Sequence, residues 1–315
     1  MLDAVSKTRR RGRFPFAPAL AAIGAMAMVL PACNDFRAGD HAARRAASVA
    51  PATAEPPPAR TAAARDCSAG PRAAALANAL SLFNYSGAPF GRPERGWAIY
   101  EPLAAGEIGT ACPPQSPGFA AALARWRSAH GLPATGVMDG DAMAQLKLLW
   151  QSRRPFVAVS RAGCPPPPSA ANLAQARPEE GYGGKAILLR PGALSAYRRL
   201  VAAARRGSSA IAGDPRLLTI FSGFRSPAYD AARCALQGNC QGVVRASCSA
   251  HRTGLAMDVF LGAVPGKAPD SSDDDNRLFQ TRTPAYRWLV ANAARFGFVN
   301  YPFEPWHWEW TGAAP

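Results

Sequence analysis

Two short patches near the C-terminus constrain this chain more than any other feature. The first is Ser249-Ala250-His251-Arg252-Thr253-Gly254-Leu255-Ala256-Met257-Asp258, and the second is Glu304-Pro305-Trp306-His307. The chain has 4 histidines, His41, His130, His251 and His307, and two of them fall here with a carboxylate close by. Any fold this sequence adopts has to bring the two patches together if they act as one site. Two His, one Asp and a spare Glu make a ligand-plus-base set for a catalytic zinc: three protein ligands leave one position open for water. His251 and Asp258 are too far apart for one helical turn. A loop running into a strand, bent at Gly254, can converge them. His307 then comes from a different strand, and Glu304 sits on a loop braced by Pro305. Glu309 is the other carboxylate near His307; positions 307 and 309 of a strand share a face, so it is either a rival base or a group behind the ligand. The tryptophans at 306, 308 and 310 read as core and pocket wall.

A third patch, Ser222-Gly223-Phe224-Arg225-Ser226, ends the apolar run Leu217–Phe221. The fork of an Arg225 guanidinium suits an oxyanion or carboxylate, and at a strand end beside the metal it can stabilise a tetrahedral charge.

Around these patches the pattern from 176 onward is mixed. A helix is expected after Pro191, a strand over 217–221, a helix from Ser226-Pro227, a strand over 255–261, an acidic loop over 270–277, a helix over 284–296 stopped by Gly297, and a last strand through Trp306–Trp310. The elements do not alternate as βαβ units. The fold class is therefore α+β: a small antiparallel-sheet domain, 176–315, preceded by a small three-helix domain, 70–155, across a Pro-rich linker, 156–175. Helical periodicity covers 72–83, then 118–130 with Phe119, Leu123 and Trp126 on one face, then a helix opened by Asp139 with Met143, Leu146 and Leu149. His130 reads as a neighbour of a helix C-terminus, where positive charge is favoured, not as a ligand.

The N-terminus reads as an export signal over 1–32. Lys7 to Arg13 is basic, Ala17 to Leu30 is apolar but short for a membrane span, and Leu30-Pro31-Ala32-Cys33 has the form of a lipobox, which makes Cys33 a lipid anchor in the envelope or periplasm. An ordinary secretory signal is the alternative. Residues 33–69, rich in Ala and Pro, read as a disordered tether. The other six of the 7 cysteines fit disulfides in an oxidising compartment. Cys234 and Cys240 are close enough to close a small loop; the other pairings stay open. The formal charge of +15 favours an anionic partner. The cations are scattered, without interleaved aromatics, so a nucleic acid is not expected.

Two resemblances follow from these residues. The run Phe119…Trp126…His130-Gly131-Leu132-Pro133-Ala134-Thr135-Gly136-Val137-Met138-Asp139…Leu146 resembles the three-helix peptidoglycan-binding domain, with an insertion around 90–115. The three C-terminal patches, in their order, resemble the motifs of the VanY-type zinc D-alanyl-D-alanine carboxypeptidases, peptidase family M15. That resemblance implies one Zn2+ held by His251, Asp258 and His307, with Glu304 as base, Arg225 as the residue stabilising the transition state, and Ser249 as a hydrogen-bonding partner of the substrate. It implies hydrolysis of the terminal D-alanine of peptidoglycan stem peptides; an endopeptidase of the same fold and a non-enzymatic wall-binding lipoprotein are the alternatives. The chain departs from the family at Asp230, where a Gln is frequent, in the insertion Cys234–Cys248, and in the acidic loop. The oligomeric state stays open.

Overall fold

The computed structural model describes residues 67–236, 238, 240 and 247–312. The expected signal segment, Cys33 and nearly all of the tether lie outside the described residues.

The first half is helical. It contains α1 (Arg72–Asn84), the hairpin β1 (Ser86–Gly87) and β2 (Glu94–Arg95), α2 (Glu101–Ile108), α3 (Pro117–Ala129), α4 (Gly140–Ser152) and the short α5 (Pro155–Val159). Local chemistry sets the ends of α3 and α4. The Ser116 hydroxyl accepts from the Phe119 N–H and the Asp139 carboxylate from the Ala142 N–H, each satisfying an otherwise unpaired helix donor. Buried Arg127 donates to Pro133 O, Val137 O and Asp139, locking the turn between the two helices. His130 follows α3, and its ring Nδ1 lies 2.8 Å from Trp126 O.

The second half opens with β3 (Ala174–Gln175) paired to β4 (Leu188–Leu189), then α6 (Pro191–Gly207) and α7 (Ser209–Gly213). Next come β5 (Ile220–Ser222), α8 (Pro227–Leu236), β6 (Ala256–Val259), α9 (Asp274–Arg282), α10 (Pro284–Asn292), β7 (Phe298–Asn300) and β8 (His307–Trp310). The last four strands form one antiparallel sheet in the order β5-β6-β8-β7. Met257 and Val259 of β6 pack with Ile220, Leu189 and Trp308, and α6 and α10 cover them with Leu194, Tyr197, Leu200, Tyr286 and Leu289. The α+β reading with small antiparallel sheets holds.

Two expectations need correction. No separate three-helix body is delimited among the described residues: four helices precede α5, and their core of Phe90, Trp97, Tyr100, Phe119, Leu123, Leu146 and Trp150 also takes in Tyr301 and Phe303 from the far end of the chain. Periodicity reports which face of a helix is apolar, not which distant residue covers it. The acidic stretch over 270–277 is also not all loop, since α9 begins within it. Asp273 is at its N-cap and Asp274 and Asp275 are in its first turn, where the partial positive end of a helix favours carboxylates. Its buried face is polar (Asn276, Arg277, Gln280 and Thr281), so no apolar stripe announced it.

Three disulfides close the described part: Cys67–Cys112, Cys164–Cys248 and Cys234–Cys240. The last is the pair expected from spacing. The second ties the segment after α5 to the loop entering the His251 patch.

Candidate metal centre

Asp258 and His307 are cross-strand partners in the β6–β8 register, which places their side chains together. His251 arrives on a single 3-10 turn, Ala250–Thr253, just ahead of β6. Gly254 ends that turn at φ +69°, a conformation that costs glycine nothing. The potential ligand atoms of His251, Asp258 and His307 lie within 4.8 Å of one another, and all three residues are buried. The loop and strand inferred from the sequence thus converge at one point.

The hydrogen bonds favour a cation there. The His251 Nδ1 lies 2.7 Å from Gly223 O, so it carries the proton and donates. Its Nε2 is then a bare lone pair, buried without a hydrogen bond and 3.1 Å from Asp258 Oδ2. Two acceptor atoms that close repel unless a positive centre sits between them. Burial, and then the neighbouring Arg225, push the His251 imidazole down to about 4, so it is neutral and able to coordinate. The donor set, two imidazoles and a carboxylate, suits zinc with an open fourth position. The Gly223 carbonyl reaches His251 because residue 223 has no side chain: a Cβ there would lie 2.5 Å from Leu188 O.

Glu304 stands beside the cluster, its Oε2 3.9 Å from His307 Nδ1, with a side chain 14% exposed. Its loop is held by the Asn300 amide, which donates to His307 O at 2.8 Å and also reaches Pro305 O at 3.3 Å. The Trp308 indole donates to the same Pro305 carbonyl. Burial pushes the Glu304 carboxyl up to about 7 even though His307 and Arg225 pull it down. A carboxyl poised near neutrality can take a proton and return it.

Arg225 follows β5. Its backbone N–H donates to His251 O, and its guanidinium Nη2 lies 4.0 Å from Asp258 Oδ2. Its Nε is buried without a hydrogen bond, although Asp230 Oδ1 is 3.7 Å away. Ser249 donates to Asp230 Oδ2 at 2.6 Å. Arg225, Ser249, His251, Glu304 and His307 line one cavity of about 230 Å³, whose far wall is Gln151, Arg154, Phe156 and Val157. A second groove, about 490 Å³, is lined by Asp258 with Tyr182, Lys185, Phe221, Tyr229 and Arg233.

Glu309 is not placed to act on a water in that cavity. Its carboxylate is buried behind His307, where it accepts from Arg154 Nε at 2.7 Å and the Phe156 N–H at 3.0 Å. Burial alone would raise it, but Arg154, then His307 and the Phe156 N–H, hold it down at about 2. Sequence reasoning missed Arg154, Phe156 and Asp230 as neighbours of the site. The Asp at a position where the VanY-type pattern often has Gln was the one available signal; Arg154 carried none.

Residues 186–313 match the family described as VanY: D-alanyl-D-alanine carboxypeptidase. No curated protein matches the chain. The matched segment contains the whole His–Asp–His cluster, Glu304 and Arg225. The cluster and the match together make this chain a zinc metallopeptidase.

Proposed function

We propose that this chain is a zinc D-alanyl-D-alanine carboxypeptidase that removes the terminal D-alanine from peptidoglycan stem peptides. The observation that carries the reading is the half-buried Glu304 carboxylate beside the three ligands, lining one small cavity with Arg225.

His251, Asp258 and His307 would hold the zinc. When bound, the ion supplies an acidified water and a Lewis acid for the scissile carbonyl. Glu304 takes a proton from the attacking water as its oxygen adds to the carbonyl carbon. Arg225, whose side chain lines the cavity, donates from its guanidinium to the carbonyl oxygen as negative charge develops there. Glu304 then delivers its proton to the leaving amine as the C–N bond breaks, and is again ionised after the products part. Ser249 keeps its lone pairs free while donating to Asp230, so it can accept from a substrate amide N–H. The cavity is walled by α5, which suits a short leaving group such as one terminal residue.

A second reading, an endopeptidase cutting within or between stem peptides, is favoured by the groove on the Asp258 side, which has room for further peptide. We also assign wall binding to the helical segment 70–155, and export with an anchor at Cys33, on the sequence features described above. Digestion of purified muropeptides followed by mass spectrometry tests the reaction. Loss of a single alanine is the expected result; conversion of dimers to monomers establishes the endopeptidase instead.

A further inference from the structure

The cavity behind His307 is filled by a carboxylate that the reaction does not use. Glu309 is 1% exposed, and Arg154, the Phe156 N–H and His307 face its carboxylate. Arg154 Nε approaches at 2.7 Å and the Phe156 backbone N–H at 3.0 Å, and His307 Nε2 is 3.4 Å from the same Oε1 that Arg154 holds. Arg154 is itself fixed. It caps α5, its Nη1 donates to Gln151 Oε1 at 2.8 Å, and its guanidinium lies 4.0 Å over the Tyr301 ring. Both anchoring donors therefore come from the α4–α5 junction, more than a hundred positions before His307 and outside the segment 186–313 that matches the peptidase family.

His307 has two ring nitrogens with different surroundings. Nδ1 faces the cluster, 2.9 Å from Asp258 Oδ1 and 3.9 Å from Glu304 Oε2. Nε2 faces Glu309 Oε1 at 3.4 Å without completing a hydrogen bond. An ionised carboxylate at that distance accepts and cannot donate, so it favours the ring with its proton on Nε2 and leaves Nδ1 bare for a metal. A ligating imidazole is normally oriented in this way through its other nitrogen. Strand geometry makes the arrangement possible, because residues 307 and 309 of β8 point to the same side.

We propose that Glu309, held by Arg154 and the Phe156 N–H, is a positioning residue that sets the tautomer and ring angle of His307 for zinc. The α4–α5 junction is then part of the metal site, not only a connection to it. This rests on the zinc-peptidase reading of the cluster, but its test does not depend on which peptide bond is cut.

The test is zinc affinity of the full chain, measured by competition with a chromophoric chelator and normalised to the folded fraction from circular dichroism. Glu309→Gln keeps the shape but has one amide nitrogen that must face a donor. It is expected to weaken zinc binding about 10–100-fold, the range for partners standing behind a ligand. Arg154→Lys keeps the charge and loses the fork, so a loss at the low end of that range, about tenfold, is expected. Cobalt(II) substituted for zinc gives a second readout: its visible spectrum should shift in Glu309→Gln as the His307 ring turns. A purely structural role lowers thermal stability and leaves affinity and spectrum as in the parent protein. Folded Glu309→Gln with affinity within about twofold of the parent overturns the proposal. If that variant does not fold, Arg154→Lys decides the matter, and parental affinity there overturns it equally.

Discussion

The two halves of the metal centre are held by different cores. His251 and Asp258 belong to the sheet side: β6 is buried along its whole length, and Met257 and Val259 anchor it among Ile220, Leu189 and Trp308. Glu304 belongs to the helical side. Tyr301 and Phe303, just ahead of it, pack among Phe90, Trp97 and Tyr100. Arg277 tightens that attachment by donating to Phe303 O at 2.7 Å, to Glu94 Oε1 at 2.5 Å and to the Tyr100 hydroxyl at 2.8 Å. His307 stands on the seam, paired to Asp258 on one side and backed by Glu309 on the other. The sheet side thus places the His251 and Asp258 ligand atoms and the helical side places Glu304, the base of the proposed mechanism, so damage to one side should be separable from damage to the other.

The largest effect is expected on the sheet side. His251→Ala should abolish both zinc retention and hydrolysis in a protein that still folds, read by metal analysis and muropeptide digestion. A variant with full zinc content removes His251 from the ligand set. On the other half, Glu304→Gln should keep zinc while kcat falls about 10²–10⁴-fold, the usual worth of a positioned base. Full hydrolysis by a zinc-loaded Glu304→Gln protein would end the base assignment.

Arg277→Met sharpens the comparison further. It leaves the Glu94 carboxylate buried without its cation, which costs about 3–5 kcal/mol. Thermal unfolding should show a clear drop in Tm, and kcat should fall because the Glu304 loop loses its brace. Zinc affinity of the folded fraction should stay parental; an equal loss of zinc would show that the two halves are not separable.

The pH dependence carries a smaller effect on the same side. Burial raises the Glu304 carboxyl to about 7, and only its ionised form can take a proton. Hydrolysis should therefore fall as pH drops, approaching tenfold per unit well below the midpoint; bound zinc adds a positive charge that lowers the carboxyl, so the midpoint belongs below about 7. A rate that does not fall on acidification through the ordinary glutamate range would contradict the base assignment.

The smallest effect returns to the sheet side. Burial alone would raise the Glu180 carboxyl, but bonds from Arg198 on α6, the Arg177 N–H and the Arg177 side chain hold it down at about 2. A depressed carboxyl contributes stability above its unfolded pKa of 4.5 and loses it as pH falls toward 2. Both arginines are well exposed, so Glu180→Gln should cost no more than about 1 kcal/mol at pH 7. The difference from the parent should close between pH 4.5 and 2 in denaturant titrations.

The parts legible in the sequence are those that need a particular residue type at a particular spacing. A metal needs imidazole and carboxylate atoms, and only a few short patches hold them, so His251, Asp258, His307 and Glu304 could be named in advance. The cap at Asp139 and the faces of α3 and α4 were legible for the same reason: both are set within a few positions. Arg154, Arg277 and Glu94 were not. A buried arginine can be called on from any distance, and nothing local distinguishes it from the exposed arginines of a basic chain. The sharing of Tyr301 and Phe303 between halves was equally hidden, because an aromatic before a loop looks alike whichever core it enters.

The placement of Tyr301 and Phe303 also bears on the order in which the chain can fold. The helical half leaves the ribosome first, yet Phe90, Trp97 and Tyr100 cannot complete their packing until residues 301–303 exist. Contacts spanning that much sequence are slow to form and pay a large loop-closure cost. The helical core is therefore completed by residues made long after its own, and its closing is coupled to that of the strands that carry the metal ligands.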